Sequence, residues 1–152
     1  MSPSFAESLG IRLRRAYQAL HRRANAELRR RFDVTADQFV VLCLLAERDG
    51  VYQQELCRRC YSDPSTIGAL VRLMEERGWV RRNPDPLDAR ARQVHLTKAG
   101  RALQGDLWNA SLESFHRDLW AVPRSPEEER ALFDALDRVV DAMERGTGEV
   151  VR

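Results

Sequence analysis

The sequence predicts a mostly α fold of about six helices interrupted once by a two-stranded β-hairpin, and three observations carry that prediction. Apolar residues recur at spacings of three and four through most of the 152 residues, the period of an amphipathic helix. Between Gly78 and Thr97 that period gives way to two short strand-like runs. Capping residues, glycines and prolines stand where the helical segments should start and stop.

The first helix is predicted from Phe5 to about Arg31, with Leu9, Leu13, Tyr17, Leu20, Ala24 and Leu28 as one apolar stripe and arginines opposite. Thr35 and Gln38 form a capping-box pattern that opens a second helix, ending near Glu47 before Asp49-Gly50. A short third helix spans Gln53 to about Cys60. Asp63-Pro64 supplies an N-cap and a first-turn proline for a fourth, which carries Ile67, Leu70, Val71 and Met74 inward and stops at Gly78. Trp79–Arg82 and Ala91–Leu96 read as the hairpin strands around Asn83-Pro84-Asp85-Pro86. Thr97 caps a fifth helix predicted to run nearly to Pro123, and Ser125-Pro126 opens a sixth that frays into Gly146-Thr147-Gly148.

The chain has the size of one domain, or of one compact protomer in an oligomer. A composition of 43% hydrophobic and 32% charged residues is that of a soluble globular protein rather than a disordered or membrane one. No apolar run is long enough to span a bilayer, and the N-terminus lacks a secretory pattern, so a cytoplasmic location is expected. The net charge of +2 hides an uneven distribution: residues 1–32 hold eight arginines against two glutamates, and 51–100 hold nine basic against six acidic residues. Residues 101–152 reverse the sign, with seven basic against eleven acidic side chains, so any phosphate-binding surface belongs to the first two-thirds.

Two short helices joined by a tight turn and followed by a basic hairpin is the order of a winged helix-turn-helix, in which the second short helix enters a DNA major groove and the hairpin reaches a neighbouring groove. In the second short helix, Ser65, Thr66, Gly68, Ala69 and Arg72 are the candidate DNA-facing residues: hydroxyls for phosphate or base edges, small residues for close approach, and a bidentate donor. Arg90 near the hairpin tip suits a narrow minor groove, with Asp88 two residues earlier to hold its guanidinium. Gln53, Gln54, Arg81, Arg82 and Arg92 are candidate phosphate contacts.

Residues 34–100 resemble the MarR family of bacterial transcriptional regulators. The resemblance lies in Val34-Thr35, Gln38, Leu42 and Leu45; in Glu55-Leu56, Ser65-Thr66-Ile67, Glu75 and Gly78; and most strongly in Asp85-Pro86-Leu87-Asp88-Ala89-Arg90 followed by Val94-His95-Leu96-Thr97-Lys98-Ala99-Gly100. It departs from the family where Gly68 and Ala69 replace larger polar residues. The resemblance implies a single protomer over 1–152, with 34–100 as the DNA-binding region and 1–33 and 101–146 as helices that form a homodimer. Such a dimer would bind a pseudo-palindromic operator in double-stranded DNA, as a repressor released by a small aromatic or phenolic ligand. Arg14, Tyr17, His21, Trp108 and His116 are the candidates for that ligand's site, since aromatic walls and a cation suit an aromatic acid.

Cys57-Arg58-Arg59-Cys60 leaves open a thiol-based redox regulator on the same scaffold, because flanking arginines can lower a thiol pKa; buried small hydrophobes are the plainer reading. No second ligand pair supports a metal site, and no cofactor is expected. The sequence has no Gly-rich phosphate loop and no interpretable nucleophile–histidine spacing, which argues against an enzyme. The remaining alternative is a helical protein-interaction module that has lost DNA binding, suggested by the apolar character of Gly68 and Ala69.

Overall fold

The computed structural model describes residues 4–5, 8–88 and 90–147. Ala89 in the wing motif, residues 6–7 of the predicted first helix and Gly148 at the predicted fraying end lie outside the described residues. The order of elements is α1 (Leu9–Phe32), α2 (Ala36–Glu47), β1 (Val51–Tyr52), α3 (Gln53–Arg59), α4 (Pro64–Glu76), β2 (Val80–Pro84), β3 (Arg92–Leu96), α5 (Lys98–Leu112), α6 (Phe115–Trp120) and α7 (Pro126–Thr147). The chain divides into two compact units, residues 1–115 and 116–152.

Local chemistry sets most of the boundaries. Thr35 Oγ1 accepts the Gln38 N–H (3.1 Å) while Gln38 Oε1 accepts the Thr35 N–H (2.9 Å), the reciprocal pair of a capping box. Asp63 caps α4 with Pro64 in its first turn, and Thr97 caps α5 by accepting the Gly100 N–H (3.0 Å). Gly78 follows α4 at φ 73°, left-handed backbone that glycine adopts without a Cβ penalty. Asp49 reaches across the sheet: Oδ1 accepts the Leu96 N–H (2.8 Å) and Oδ2 faces His95 Nδ1 (3.1 Å).

Three elements differ from the sequence prediction. The hairpin gains a third strand, because β1 pairs antiparallel with β3 (Val51↔Val94, Tyr52↔Gln93) in the sheet order β1-β3-β2. The long hairpin tip begins later, since β2 extends through Pro84, opposite Arg92, and the turn spans Asp85 to Ala91. The predicted fifth helix is two helices. Ser111 Oγ donates to the Trp108 carbonyl (2.7 Å) and Ser114 Oγ to the Ala110 carbonyl (3.1 Å), side-chain bonds that compete with the helical ladder where α5 ends.

The core of the first unit fills the space between α2, α3, α4 and the sheet, with Leu42, Leu45, Leu56, Ile67, Val71, Met74, Val80 and Val94 almost fully buried. Leu28 of α1 and Leu107 of α5 close it. Each such side chain contributes about 1.5–3 kcal/mol on burial. Only Ala24 and Leu28 of α1 are buried, whereas Leu9 and Tyr17 of the same predicted stripe are exposed. In the second unit, no side chain is buried among the described residues of α7, although Leu132, Phe133, Leu136 and Met143 recur at helical spacing.

Candidate nucleic-acid interface

Helix α4 has an inward face of Ile67, Val71 and Met74 and an outward one on which Ser65, Ala69 and Arg72 are exposed. Thr66 is exposed too, but its hydroxyl donates to the Asp63 carboxylate (2.6 Å) while its N–H is accepted by the other oxygen (2.9 Å). Those two bonds hold the Asp63 carboxyl below the usual carboxylate range. Gly68 is half-buried rather than outward: a Cβ there would stand 3.3 Å from Gln53 Nε2, so the residue seats α4 against the start of α3. Among the five residues predicted to face DNA, Ser65, Ala69 and Arg72 thus form the open surface, and Thr66 doubles as part of the cap.

The wing hangs from β2 and β3. Alternation puts Val80 and Arg82 on one side with Val94 and Leu96, facing α4, and Arg81 on the other, opposite His95. Arg82 was expected at a phosphate; its guanidinium is instead held by Glu75 of α4, with Nε and Nη2 donating to Oε2 (2.9 and 2.6 Å) and the Arg82 N–H to Oε1 (3.0 Å). The Arg82 bonds in turn hold the Glu75 carboxyl below its usual range. This pair fixes the hairpin on α4. Arg81, Arg90 and Arg92 remain exposed.

At the tip, Asp88 does not hold the Arg90 guanidinium; its Oδ1 accepts the Arg90 backbone N–H (2.9 Å). The organising carboxylate is Asp85, whose Oδ1 accepts the N–H groups of Leu87 (2.7 Å) and Asp88 (3.1 Å) and whose Oδ2 accepts the Tyr52 hydroxyl. Short-range carboxylate turns of this kind depend on the loop's geometry, which residue spacing alone does not fix. Gln53, Gln54, Asp88, Arg90 and Arg92 line one open cleft of about 470 Å³ that also takes in Pro64 at the start of α4. The α3 and wing candidates thus line one cleft, which α4 enters only through Pro64; Ser65, Thr66, Gly68, Ala69 and Arg72 are not among its lining residues.

Tyr52, which lines the cleft, and Glu75 and Asp85, which hold the wing, are residues that sequence reasoning left without a role. Glu75 and Asp85 stood only as family-matching positions, and Tyr52 carried no signal beyond lying between a glycine and a helix start. Arg77 also escaped notice. It joins α4 to α1 by donating to the Asp33 carbonyl (3.0 Å) and carboxylate (2.6 Å), with its guanidinium carbon 4.9 Å from the Trp79 ring centre.

The predicted ligand residues are spread over both units. Tyr17 and His21 of α1 meet as a tilted ring pair with centres 5.6 Å apart, and His21 Nε2 lies 3.4 Å from the Asp37 carboxylate of α2. Trp108 of α5 lies against Phe39, centres 6.4 Å apart, and Phe39 meets Phe115 edge-on. Arg14 is exposed on α1. His116 belongs to the second unit, where it stacks on Trp120 (5.6 Å), and burial pushes its pKa down.

The surroundings of the two thiols lend the redox reading no support. Burial pushes the thiols of Cys57 and Cys60 up, away from the thiolate that a sensor needs. The neighbouring guanidiniums are engaged elsewhere, Arg58 with Glu55 (2.9 and 2.6 Å) and Arg59 with Glu47 (2.7 Å). Among the described residues no group of His, Cys, Asp and Glu could hold a metal ion, and no helix is long and apolar enough to cross a membrane.

Comparison with known proteins agrees with this geometry. The MarR family profile matches residues 32–91. The transcriptional regulator TtmR of Methylorubrum extorquens is 31% identical over 134 residues, covering 87% of this chain and 67% of TtmR. Shorter matches to other curated regulators span 50% to 61% of those proteins' own lengths. Among solved structures, Bordetella bronchiseptica BpsR, whose DNA binding is regulated by 6-hydroxynicotinic acid, superposes with a TM-score of 0.81 at 27% identity over 93% of this chain and 99% of that one. A mutant of Escherichia coli MarR complexed with operator DNA gives 0.77 at 27% identity over 91% and 99%. The chain belongs to the MarR family of winged helix-turn-helix DNA-binding transcriptional regulators.

Proposed function

We propose that this regulator binds a pseudo-palindromic operator as a homodimer, with the Ser65–Ala69–Arg72 face of α4 in the major groove and Arg90 of the wing in the flanking minor groove, and that it acts as a repressor. The observation that carries the reading is the shared cleft: Gln53 and Gln54 at the start of α3, Pro64 at the start of α4 and Arg90 and Arg92 of the wing line one surface. A duplex engaging α4 would meet backbone contacts from α3 and the wing together. The uncovered apolar faces of α1 and α7 support the dimer, since helices with that much exposed stripe bury it against a second copy. Selection of bound fragments from random and genomic DNA tests the reading. It should return a two-half-site motif, and affinity should fall linearly in log–log form with salt, by a slope of about 0.9 per phosphate contact. Salt-independent or motif-free binding defeats it.

The reading extends to a small aromatic acid as the releasing ligand. Its support is the aromatic pair Tyr17–His21 beside Asp37 and the pair Phe39–Trp108, together with the likeness to BpsR. Hydroxylated aromatic carboxylates should raise the melting temperature and weaken duplex binding in the same concentration range. Stabilisation without DNA release, or neither effect, refutes it.

A further inference from the structure

We propose that Tyr52 is a positioning residue for the wing, its hydroxyl tie to Asp85 setting where Arg90 is presented to a duplex; this rests on the DNA-binding reading above. Strand β1 is only two residues long, yet it is placed by Val51, which is buried and pairs with Val94 at the centre of the sheet. That leaves Tyr52 at the sheet edge as the residue immediately before α3, and its hydroxyl donates to Asp85 Oδ2 across 33 positions of sequence. The other Asp85 oxygen accepts the Leu87 and Asp88 N–H groups, and the Asp88 carboxylate accepts the N–H of Arg90. Two backbone bonds, Asp85 N–H to the Ala91 carbonyl and Ala91 N–H to the Asp88 carbonyl (3.0 Å each), close the loop on itself.

The described tip residues are therefore bonded to one another, and the Tyr52 phenol ties Asp85 to the start of α3. The same residue precedes Gln53 and Gln54, so it couples the span between the α3 phosphate contacts and the wing arginine. A guanidinium entering a narrow minor groove gains from that groove's negative potential only if it is delivered in register with the major-groove helix. The phenol is thereby assigned an action through Arg90; because Tyr52 also lines the cleft, the trimmed duplex separates this from direct contact of the phenol with DNA.

The test uses the duplex recovered by the selection experiment, the same duplex trimmed of its flanking minor-groove steps, and the full-length chain. Tyr52→Phe keeps the ring and removes the tie. Its affinity for the long duplex should fall roughly three- to tenfold, the range set by one lost hydrogen bond. It should bind the trimmed duplex as the wild type does, and in an Arg90→Ala background it should add less than about twofold, as expected of residues acting through one contact. Melting temperatures matching the wild type keep the comparison free of unfolding. Equal losses on long and trimmed duplexes, additive losses with Arg90→Ala, or wild-type affinity for Tyr52→Phe each overturn the inference while leaving the DNA-binding reading intact. A wild-type chain with no salt-dependent duplex binding overturns both.

Discussion

The segment from Val34 to Gly100 and the helices on either side of it satisfy their apolar residues in opposite ways. Within the segment, Leu42, Leu45, Leu56, Ile67, Val71, Met74, Val80 and Val94 are enclosed by their own chain, and its main side-chain tie, Glu75 with Arg82, joins one element to the next. In the flanks, Leu9 and Tyr17 of α1 and Leu132, Phe133, Leu136 and Met143 of α7 stand exposed at helical spacing. The core of the winged segment is thus enclosed within the folded chain, with Leu28 of α1 and Leu107 of α5 closing it, whereas α1 and α7 also carry exposed apolar positions that the proposed dimer would cover. Disturbing the first should lower stability at any protein concentration. Disturbing the second should act through concentration.

The largest effect is expected at Gly100, where α5 meets the start of the hairpin. A Cβ there would lie 1.9 Å from the Trp79 carbonyl oxygen and 2.8 Å from its carbon, backbone atoms that cannot swing aside. Gly100→Ala should cost about 3 kcal/mol or more by forced displacement of the α5 N-terminus. Denaturant unfolding followed at several protein concentrations measures it, and a loss under about 1 kcal/mol, the range of an ordinary tolerated substitution, would mean that α5 is seated elsewhere. Next comes Leu136→Glu on α7. It should leave the denaturant midpoint of the first unit within error in dilute solution and weaken self-association roughly thirtyfold or more, as at an interface hot spot. Sedimentation at graded concentration reads this directly, and an unchanged assembly would remove α7 from the proposed dimer.

How much of this contrast the sequence revealed depends on the range of the interaction. Caps at Thr35, Asp63 and Thr97 were legible because each joins residues three apart, and so were the winged order and the exposed stretch of α4. Strand β1 was not, since two residues cannot display an alternation, and Val51 and Tyr52 pair with a strand far along the chain. The end of α5 was hidden because Ser111 and Ser114 look ordinary in a helix until their hydroxyls turn onto its carbonyls. In the wing, two side chains have partners other than those expected. Arg82 finds Glu75 seven positions back across a helix-to-strand turn, and Asp88 bonds the backbone of Arg90 rather than its guanidinium.

The Glu75–Arg82 tie gives a smaller effect with a defined pH dependence. Because the Glu75 carboxyl is held below its usual range in the folded chain, its contribution is complete at neutral pH and is lost as pH falls through that lowered value. Side-chain exposures of 29% and 35% mean that solvent screens the pair, so Glu75→Gln should cost only about 1 kcal/mol at neutral pH. Wild-type and variant stabilities should converge in acid, and parallel pH profiles would assign the stability to packing of β2 on α4 instead.

The smallest effect belongs to the double substitution of Cys57 and Cys60 by serine. Both thiols sit partly buried where α3 closes on the core, burial raises their pKa, and the arginines between them are bound to Glu55 and Glu47. At neutral pH such thiols stay protonated and react slowly with peroxide, because the thiolate is the attacking species. Serine keeps the volume nearly constant but adds a hydroxyl at a partly buried site, so a cost of about 0.5 kcal/mol is expected. The more telling readout is duplex binding before and after peroxide. Wild type and double variant should respond alike. A peroxide-induced release seen in the wild type and abolished in the variant would show that the winged segment is a redox switch.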